Sequence, residues 1–469
     1  MTLLVISPDY ASHLLPLASI ANAQRQPGER VVVATGPATA AVVAEFGFEH
    51  TELRLGRGSN PGVIRIEEQP AGEDDALRGF FDATRHGMVR TLSYQAEARR
   101  NDLLWEPVVT ARAVLQILDE VRPDRVIVDH LAFTATLALR AAGVSYQDVV
   151  LGHPTALPIG AEVYGFPSRW PRSFSPDPVE LAALHRLCRV VRDEFTAEAN
   201  AALAVLDPSA PALDDAFAAH GPSVLFNYPE RLHDPQRTAA LPPHRFLESS
   251  VRSERISDEV ADWLADRRSI VYVSFGSFLS ARADVLARVV EALRPLPVSV
   301  ALATGSADRS SLGDLPAHWL VGGFLPQVAI LERAALAVSH GGNNSITEAL
   351  HFGVPLLVLP FSTDQFAGAA AVETAGLAEV LDPNRADPGQ LRAAVLRLLG
   401  AARTTSPMAV LSQFAGEPAE RVERMGVPQS AGMPTGGVGE YFRPGRECGG
   451  QLADPTDERV IGAAPEPNR

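Results

Sequence analysis

The stretch SHGGNNSITEALHFGVPLLVLPFSTDQ brings His340, Gly341, Gly342, Asn344, Ser345, Glu348, Asp364 and Gln365 into one strand-turn-helix-strand unit. LAVSH reads as a strand, and Gly341-Gly342 turns the chain straight into a helix. Beyond the C-terminal end of a strand in a doubly wound sheet, the next helix offers unpaired N–H groups and the positive end of its dipole. That suits a phosphate. The glycines let backbone approach the anion. Asn344 and Ser345 can cap the helix or donate to phosphate oxygens, and the His340 imidazole can reach the same anion. Glu348 lies on the same helix face, where a carboxylate can accept from two vicinal hydroxyls of a ribose. Asp364 and Gln365 close the next strand and suit the hydroxyls of a hexose. Each feature has a plain alternative. Ser345 with Glu348 is also a capping pattern, Gly-Gly is also a simple turn, and His340 is also a packed strand-end residue. Their convergence at consecutive strand ends favours the ligand reading.

The surrounding elements must hold those strand ends in place. LLVIS (3–7), VVVAT (31–35), RVIVD (125–129) and YQDVVL (146–151) read as strands between helical patterns. A second series begins at SIVYVSF (269–275) and runs through PVSVALAT, LAVSH and PLLVLP. This alternation predicts parallel sheets with crossover helices. The fold class is therefore α/β, with two doubly wound Rossmann-like domains facing a central cleft. The expected division is an N-terminal domain over 1–225, a linker over 226–255, a C-terminal domain over 256–400 and an atypical tail over 401–469. The stretch 77–120 reads as helical, 151–178 as a long structured loop, and Pro208 to Pro243 as a join free of regular elements. In the tail, Pro and Gly approach a proportion associated with disorder, which predicts poor packing.

Composition narrows the chemistry. The chain has 469 residues, 46% apolar and 21% charged, with a formal net charge of −15. Such a charge argues against a nucleic-acid or anionic-membrane partner. All 41 basic residues are arginine, which excludes a P-loop, a lysine Schiff base and a kinase built on a strand lysine. No apolar run is long enough to span a bilayer. MTLLVISPDYASH reads as a first strand and not as a signal peptide. Cys188 and Cys448 lack metal spacing and read as reduced thiols, which predicts a cytoplasmic protein.

FLPQVAILERAALAVSHGGNNSITEALHFGVPLLVLPFSTDQ (324–365) resembles the nucleotide-sugar signature of the UDP-glycosyltransferase superfamily, the inverting family with the GT-B fold. VSFGSFLS (273–280) resembles that family's strand-to-loop segment at the diphosphate. The resemblance covers about residues 1 to 400 and fails in the tail, whose sequence QSAGMPTGGVGEYFRPGRECGGQ suggests a replaced or frame-shifted end. It implies that Gln327 and the backbone near Leu325 flank the base. Gly276, Ser277, His340, Gly342, Asn344 and Ser345 would hold the diphosphate, Glu348 the ribose, and Asp364 with Gln365 the sugar. Phe324 stands where the plant branch stacks a tryptophan, and Asn343 where that branch has another. The GGNNS form with a closing Asp-Gln resembles users of UDP-hexoses more than users of dTDP-deoxysugars.

The same resemblance implies that His13 is a general base and Asp129 its partner. The usual glycine before that histidine is Ser12 here. On residues alone, His13 is equally a helix-start histidine and Asp129 a helix cap. His153 and His130 stay between pocket-lining and structural roles. No metal and no cofactor beyond the UDP-sugar co-substrate is implied. The expected enzyme is a metal-independent hexosyltransferase of the bacterial natural-product or antibiotic branch, acting on a small-molecule hydroxyl as monomer or homodimer. Tyr164, Phe166 and Trp170 suggest an apolar or ring-bearing acceptor and are equally loop anchors. Alternatives are a dTDP-deoxysugar transferase of the same fold, a nucleotide-sugar epimerase, a peptidoglycan-type transferase, and a non-catalytic nucleotide-sugar binder.

Overall fold

Two parallel sheets, each wound with helices, organise the chain in a computed structural model that describes residues 1–404 except 64–71, 103, 250, 253, 268 and 280. Most of the atypical tail, residues 405–469, lies outside the described residues. The first series runs β1 (Thr2–Ile6), α1 (Ala11–Gln24), β2 (Arg30–Thr35), α2 (Ala40–Glu45), β3 (Glu49–Glu52), α3 (Glu73–Arg85), α4 (Met88–Asp102) and α5 (Pro107–Val121). It continues with β4 (Arg125–Asp129), α6 (Phe133–Ala141), β5 (Gln147–Val150), α7 (Pro178–Leu206), β6 (Ser223–Phe226), α8 (Pro235–Ala239) and β7 (His244–Phe246). The second runs α9 (Asp258–Asp266), β8 (Ile270–Ser274), α10 (Gly276–Leu279), α11 (Ala283–Leu293), β9 (Ser299–Ala303), β10 (Leu320–Gly322) and α12 (Gln327–Leu331). It ends with β11 (Ala334–Ser339), α13 (Asn343–His351), β12 (Leu356–Val358), α14 (Gln365–Thr374), β13 (Ala378–Val380) and α15 (Pro388–Thr404).

The first sheet has the order β3-β2-β1-β4-β5-β6-β7 and the second β10-β9-β8-β11-β12-β13. Their pairings are parallel. Central strands such as β1 are apolar along both faces because helices cover both sides; Leu3, Leu4, Val5 and Ile6 are fully buried. In each sheet the strand order reverses at one place, between β1 and β4 and between β8 and β11. A crevice opens beyond the strand ends at such a reversal. There β1 and β4 run side by side from Leu3↔Arg125 to Ile6↔Val128, and β8 and β11 finish on Ser274↔Ser339.

Three local readings differ from the sequence expectation. The 77–120 stretch is three helices, interrupted at Gly87 (φ 93°) and Glu106 (φ 44°), left-handed residues that cannot continue a right-handed helix. The stretch Pro208–Pro243 holds β6 and α8, because a four-residue strand is easily hidden among prolines and glycines. β3 has the sequence EHTE and is largely exposed, so it carries no apolar signal.

The two sheets share apolar packing. Leu77, Phe80 and Phe81 of α3 join the cluster of Val273, Phe275 and Phe361. Each such side chain contributes about 1.5–3 kcal/mol on full burial. Phe174 meets Phe366 edge-on at 5.3 Å. Arg282 is 1% exposed and stacks over Phe361, 5.1 Å from its centroid. It binds Asp284 at 2.8 Å and donates to the Thr84 carbonyl at 3.0 Å. A buried guanidinium persists because its donors are satisfied in this way.

Candidate functional site

β1 delivers the chain through Ser7 and Tyr10 into α1, whose third residue is His13. Its N–H donates to the Tyr10 carbonyl at 3.0 Å, and its Nδ1 lies 2.7 Å from Asp129 Oδ2. A carboxylate only accepts, so Nδ1 carries the proton and Nε2 is the basic nitrogen. Asp129 ends β4 and is 1% exposed; its second oxygen accepts from the Leu131 N–H at 2.9 Å. Burial disfavours the His13 cation, but the charges of Asp129 and Asp364 prevail and raise its pKa above the ordinary value. A second pair, His130 and Asp148 at 3.0 Å, is wholly buried beside the first.

Across from these groups, β11 ends at Ser339 and His340 follows it. A Cβ at Gly342 would sit 2.5 Å from His340 Nε2, and one at Gly276 2.7 Å from its Cε1. Both glycines therefore admit the imidazole between them, and Gly276 also needs its φ of 70°. Burial lowers the His340 pKa to about 4, so the ring is neutral at pH 7. Ser277 is the second residue of α10, and its side chain lies outside the described residues.

Helix α13 begins on Gly342, which offers no capping side chain. Asn344 and Ser345 do not cap it. Asn344 instead donates to the Ser12 carbonyl at 2.9 Å, beside His13, and its Oδ1 is buried without a partner. Asn343 donates to the carbonyls of Leu151 and Asn227 at 2.7 and 2.9 Å. The uncapped helix end is thus drawn against the strand ends of the first sheet. Ser345 is half-buried.

Glu348 is 3% exposed, with Oε1 2.7 Å from Arg252 and Oε2 2.6 Å from Gln327 Nε2. Burial raises its pKa while Arg252 and Gln327 oppose the rise. Gln327 accepts from the Tyr272 hydroxyl at 3.2 Å. Arg252 also pairs with Glu254, whose other oxygen accepts from the Val328 N–H at 2.8 Å. Leu325 is buried and Phe324 is 63% exposed beside this network. Asp364 accepts from the His153 N–H at 2.6 Å. Gln365 turns inward, its oxygen accepting from the N–H groups of Phe361 and Ser362. His153 is buried, caps its own turn at Thr155 and is held neutral, at about 3, by burial. Phe166 and Trp170 pack on the cluster beneath the second sheet, whereas Tyr164 stacks on Phe217. Arg252, Glu254 and Tyr272 carried no sequence signal; the unusual Asn343 did, as a departure from tryptophan. Among the described residues no group of three or more His, Cys, Asp or Glu is placed to hold a metal ion.

Two facing parallel-sheet domains of this kind have the GT-B fold. Glycosyltransferase VinC in complex with dTDP superposes with a TM-score of 0.59, at 18% identity, over 88% of this chain and 95% of that one. Residues 287–424 match the family described as Erythromycin biosynthesis protein CIII-like, C-terminal domain. That match runs past residue 400, where the resemblance was expected to fail. The NDP-glycosyltransferase YjiC of Bacillus licheniformis is 31% identical over 152 residues, 32% of this chain and 38% of its own length. The PGL/p-HBAD biosynthesis rhamnosyltransferase of Mycobacterium bovis is 33% identical over 168 residues, 36% of this chain and 35% of its own. The alignments thus span little more than a third of these relatives' length. The fold is thus that of the GT-B structures, residues 287–424 resemble the matched C-terminal domain, and about a third of the chain is similar to these glycosyltransferases.

Proposed function

We propose that this protein is an inverting glycosyltransferase that moves a hexose from a UDP-sugar to a hydroxyl of a small-molecule acceptor. The observation that carries this reading is the His13–Asp129 hydrogen bond at 2.7 Å, set beside the Ser12 carbonyl on which Asn344 of the uncapped helix closes. Base and anion-binding helix end then face the same point. His13 Nε2 takes the acceptor's hydroxyl proton as its oxygen attacks the anomeric carbon. The bond from that carbon to the diphosphate breaks on the opposite side, inverting the centre. Asp129 orients the imidazole and stabilises the imidazolium. Charge growing on the leaving diphosphate meets the N-terminus of α13, with neutral His340 as an N–H donor. Glu348, held by Gln327 and Arg252, accepts from the ribose hydroxyls, and Asp364 from the sugar. A dTDP-sugar is the second reading, favoured by the dTDP that the VinC structure is described as holding.

Titration calorimetry of the purified chain with UDP, UDP-glucose and dTDP-glucose tests this. The expected result is UDP-sugar binding that EDTA leaves unchanged and Glu348→Ala abolishes. His13→Ala should bind UDP normally and lose about 10²–10⁴-fold in turnover. A folded sample that binds none of the three nucleotides overturns the reading, and preference for dTDP-glucose selects the second donor.

A further inference from the structure

We propose that Gln95 and the Gly152–His153 turn of the first domain are positioning residues for Asp364, so that the sugar end of the donor site is complete only where the two domains meet. The inference rests on the reading above that Asp364 accepts from the donor sugar. Asp364 belongs to the second domain, between β12 and α14. Its Oδ2 accepts from the His153 N–H at 2.6 Å, across 211 residues of chain. Gly152 lets the carboxylate come this close, because a Cβ there would lie 2.7 Å from Oδ2. Apart from its chain neighbours, only the Asp364 carboxyl group lies within 4 Å of that Cβ. Gly152 takes no left-handed φ, so its missing side chain answers to the carboxylate and not to the backbone.

The residue before Asp364 carries a second mark. Thr363 has φ 50°, in the left-handed region that a β-branched side chain avoids. Such a conformation persists only where its surroundings fix it. The fixing contact again comes from the first domain: Gln95, on α4, accepts from the Thr363 N–H at 3.1 Å. Thr363 Oγ1 donates in turn to Asp364 Oδ1 at 3.0 Å. Both carboxylate oxygens are therefore steered from the first domain, Oδ2 directly and Oδ1 through Thr363. Asp364 is half-buried, and a carboxylate oxygen has two acceptor sites, so Oδ1 keeps one for a hydroxyl of the sugar. The carboxylate also acts electrostatically on His13, so it shares the cleft with the proposed base. The nucleotide contacts proposed above, Glu348, His340 and the start of α13, all lie in the second domain. The nucleotide can thus bind before the domains dock, whereas recognition of the sugar waits on docking.

Calorimetry on the full chain with UDP and with UDP-glucose tests this, and the quantity read is the ratio of the two affinities. Gly152→Ala should leave UDP affinity unchanged and lower the preference for UDP-glucose about tenfold, because its methyl displaces the carboxylate. Gln95→Leu should act in the same direction through Thr363. In an Asp364→Ala background neither substitution should change the ratio further, since the group they position is gone. A ratio that Gly152→Ala leaves unchanged or raises, or an equal loss in the Asp364→Ala background, overturns the inference. If Gly152→Ala fails to fold, Gln95→Leu decides by the same comparison. If dTDP-glucose is the preferred donor, the ratio is taken against dTDP. Equal binding of nucleotide and nucleotide-sugar by the wild type overturns the assembled sugar site and leaves the nucleotide reading standing. A folded sample that binds neither overturns both.

Discussion

Asp129 serves two structures at once: one carboxylate oxygen accepts from the Leu131 N–H and the other holds His13. Its charge is what raises the His13 pKa above 6.5 against the effect of burial. Asp129→Asn should therefore move the acidic limb of the pH–rate profile to lower pH and cut kcat by about 10²-fold or more. A profile whose limb does not move would assign that limb to another group. Arg252 stands in a similar relation to Glu348. Arg252→Met leaves a buried carboxylate without its cation and should destabilise the fold by about 3–5 kcal/mol. Burial already raises the Glu348 pKa, so this carboxyl takes up a proton readily once Arg252 is gone. Urea unfolding at two pH values checks this: the deficit should be larger at pH 8 than at pH 5.

At the scale of elements, the turn from β11 into α13 and the end of β8 are built around one imidazole. Gly276 and Gly342 each leave the space that the His340 ring fills. Gly342→Ala places a methyl 2.5 Å from Nε2, and a rigid strand end cannot give that much. The expected result is a lower Tm and weaker UDP binding. Adding His340→Ala should recover most of the Tm, since the double variant removes the clash. Thermal melts of both singles and the double measure the coupling, and strictly additive losses would argue against the clash.

Across the whole molecule, the buried histidines divide into two groups. Burial lowers His153 to about 3 and His233 and His340 to about 4. Between pH 6.5 and about 4 the unfolded chain binds protons that these folded rings refuse, so stability falls as pH falls through that window. His13 and His130 are raised by Asp129 and Asp148, despite their burial. Their contribution is fully present below pH 6.5 and is lost as pH rises through their folded pKa values. Denaturant unfolding across pH 4–8.5 should therefore give a stability maximum near pH 6.5. A curve still rising at pH 8 would contradict the raised pair.

What the sequence determined by itself was local. Apolar runs covered on both faces announced parallel strands, and a Gly-Gly turn after LAVSH announced a helix start at a strand end. Those patterns are short, so neighbouring residues suffice to read them. The seven-stranded order, the polar edge strand EHTE and the break at Glu106 were not legible, because burial and backbone strain decide them. Nor were the partners. Glu348 finds Arg252 across 96 residues, and Asn343 finds the Leu151 carbonyl across 192. No local pattern encodes such distant pairings. Tertiary packing brought the two sheets' strand ends together, and that juxtaposition set His13 beside the helix of Asn344.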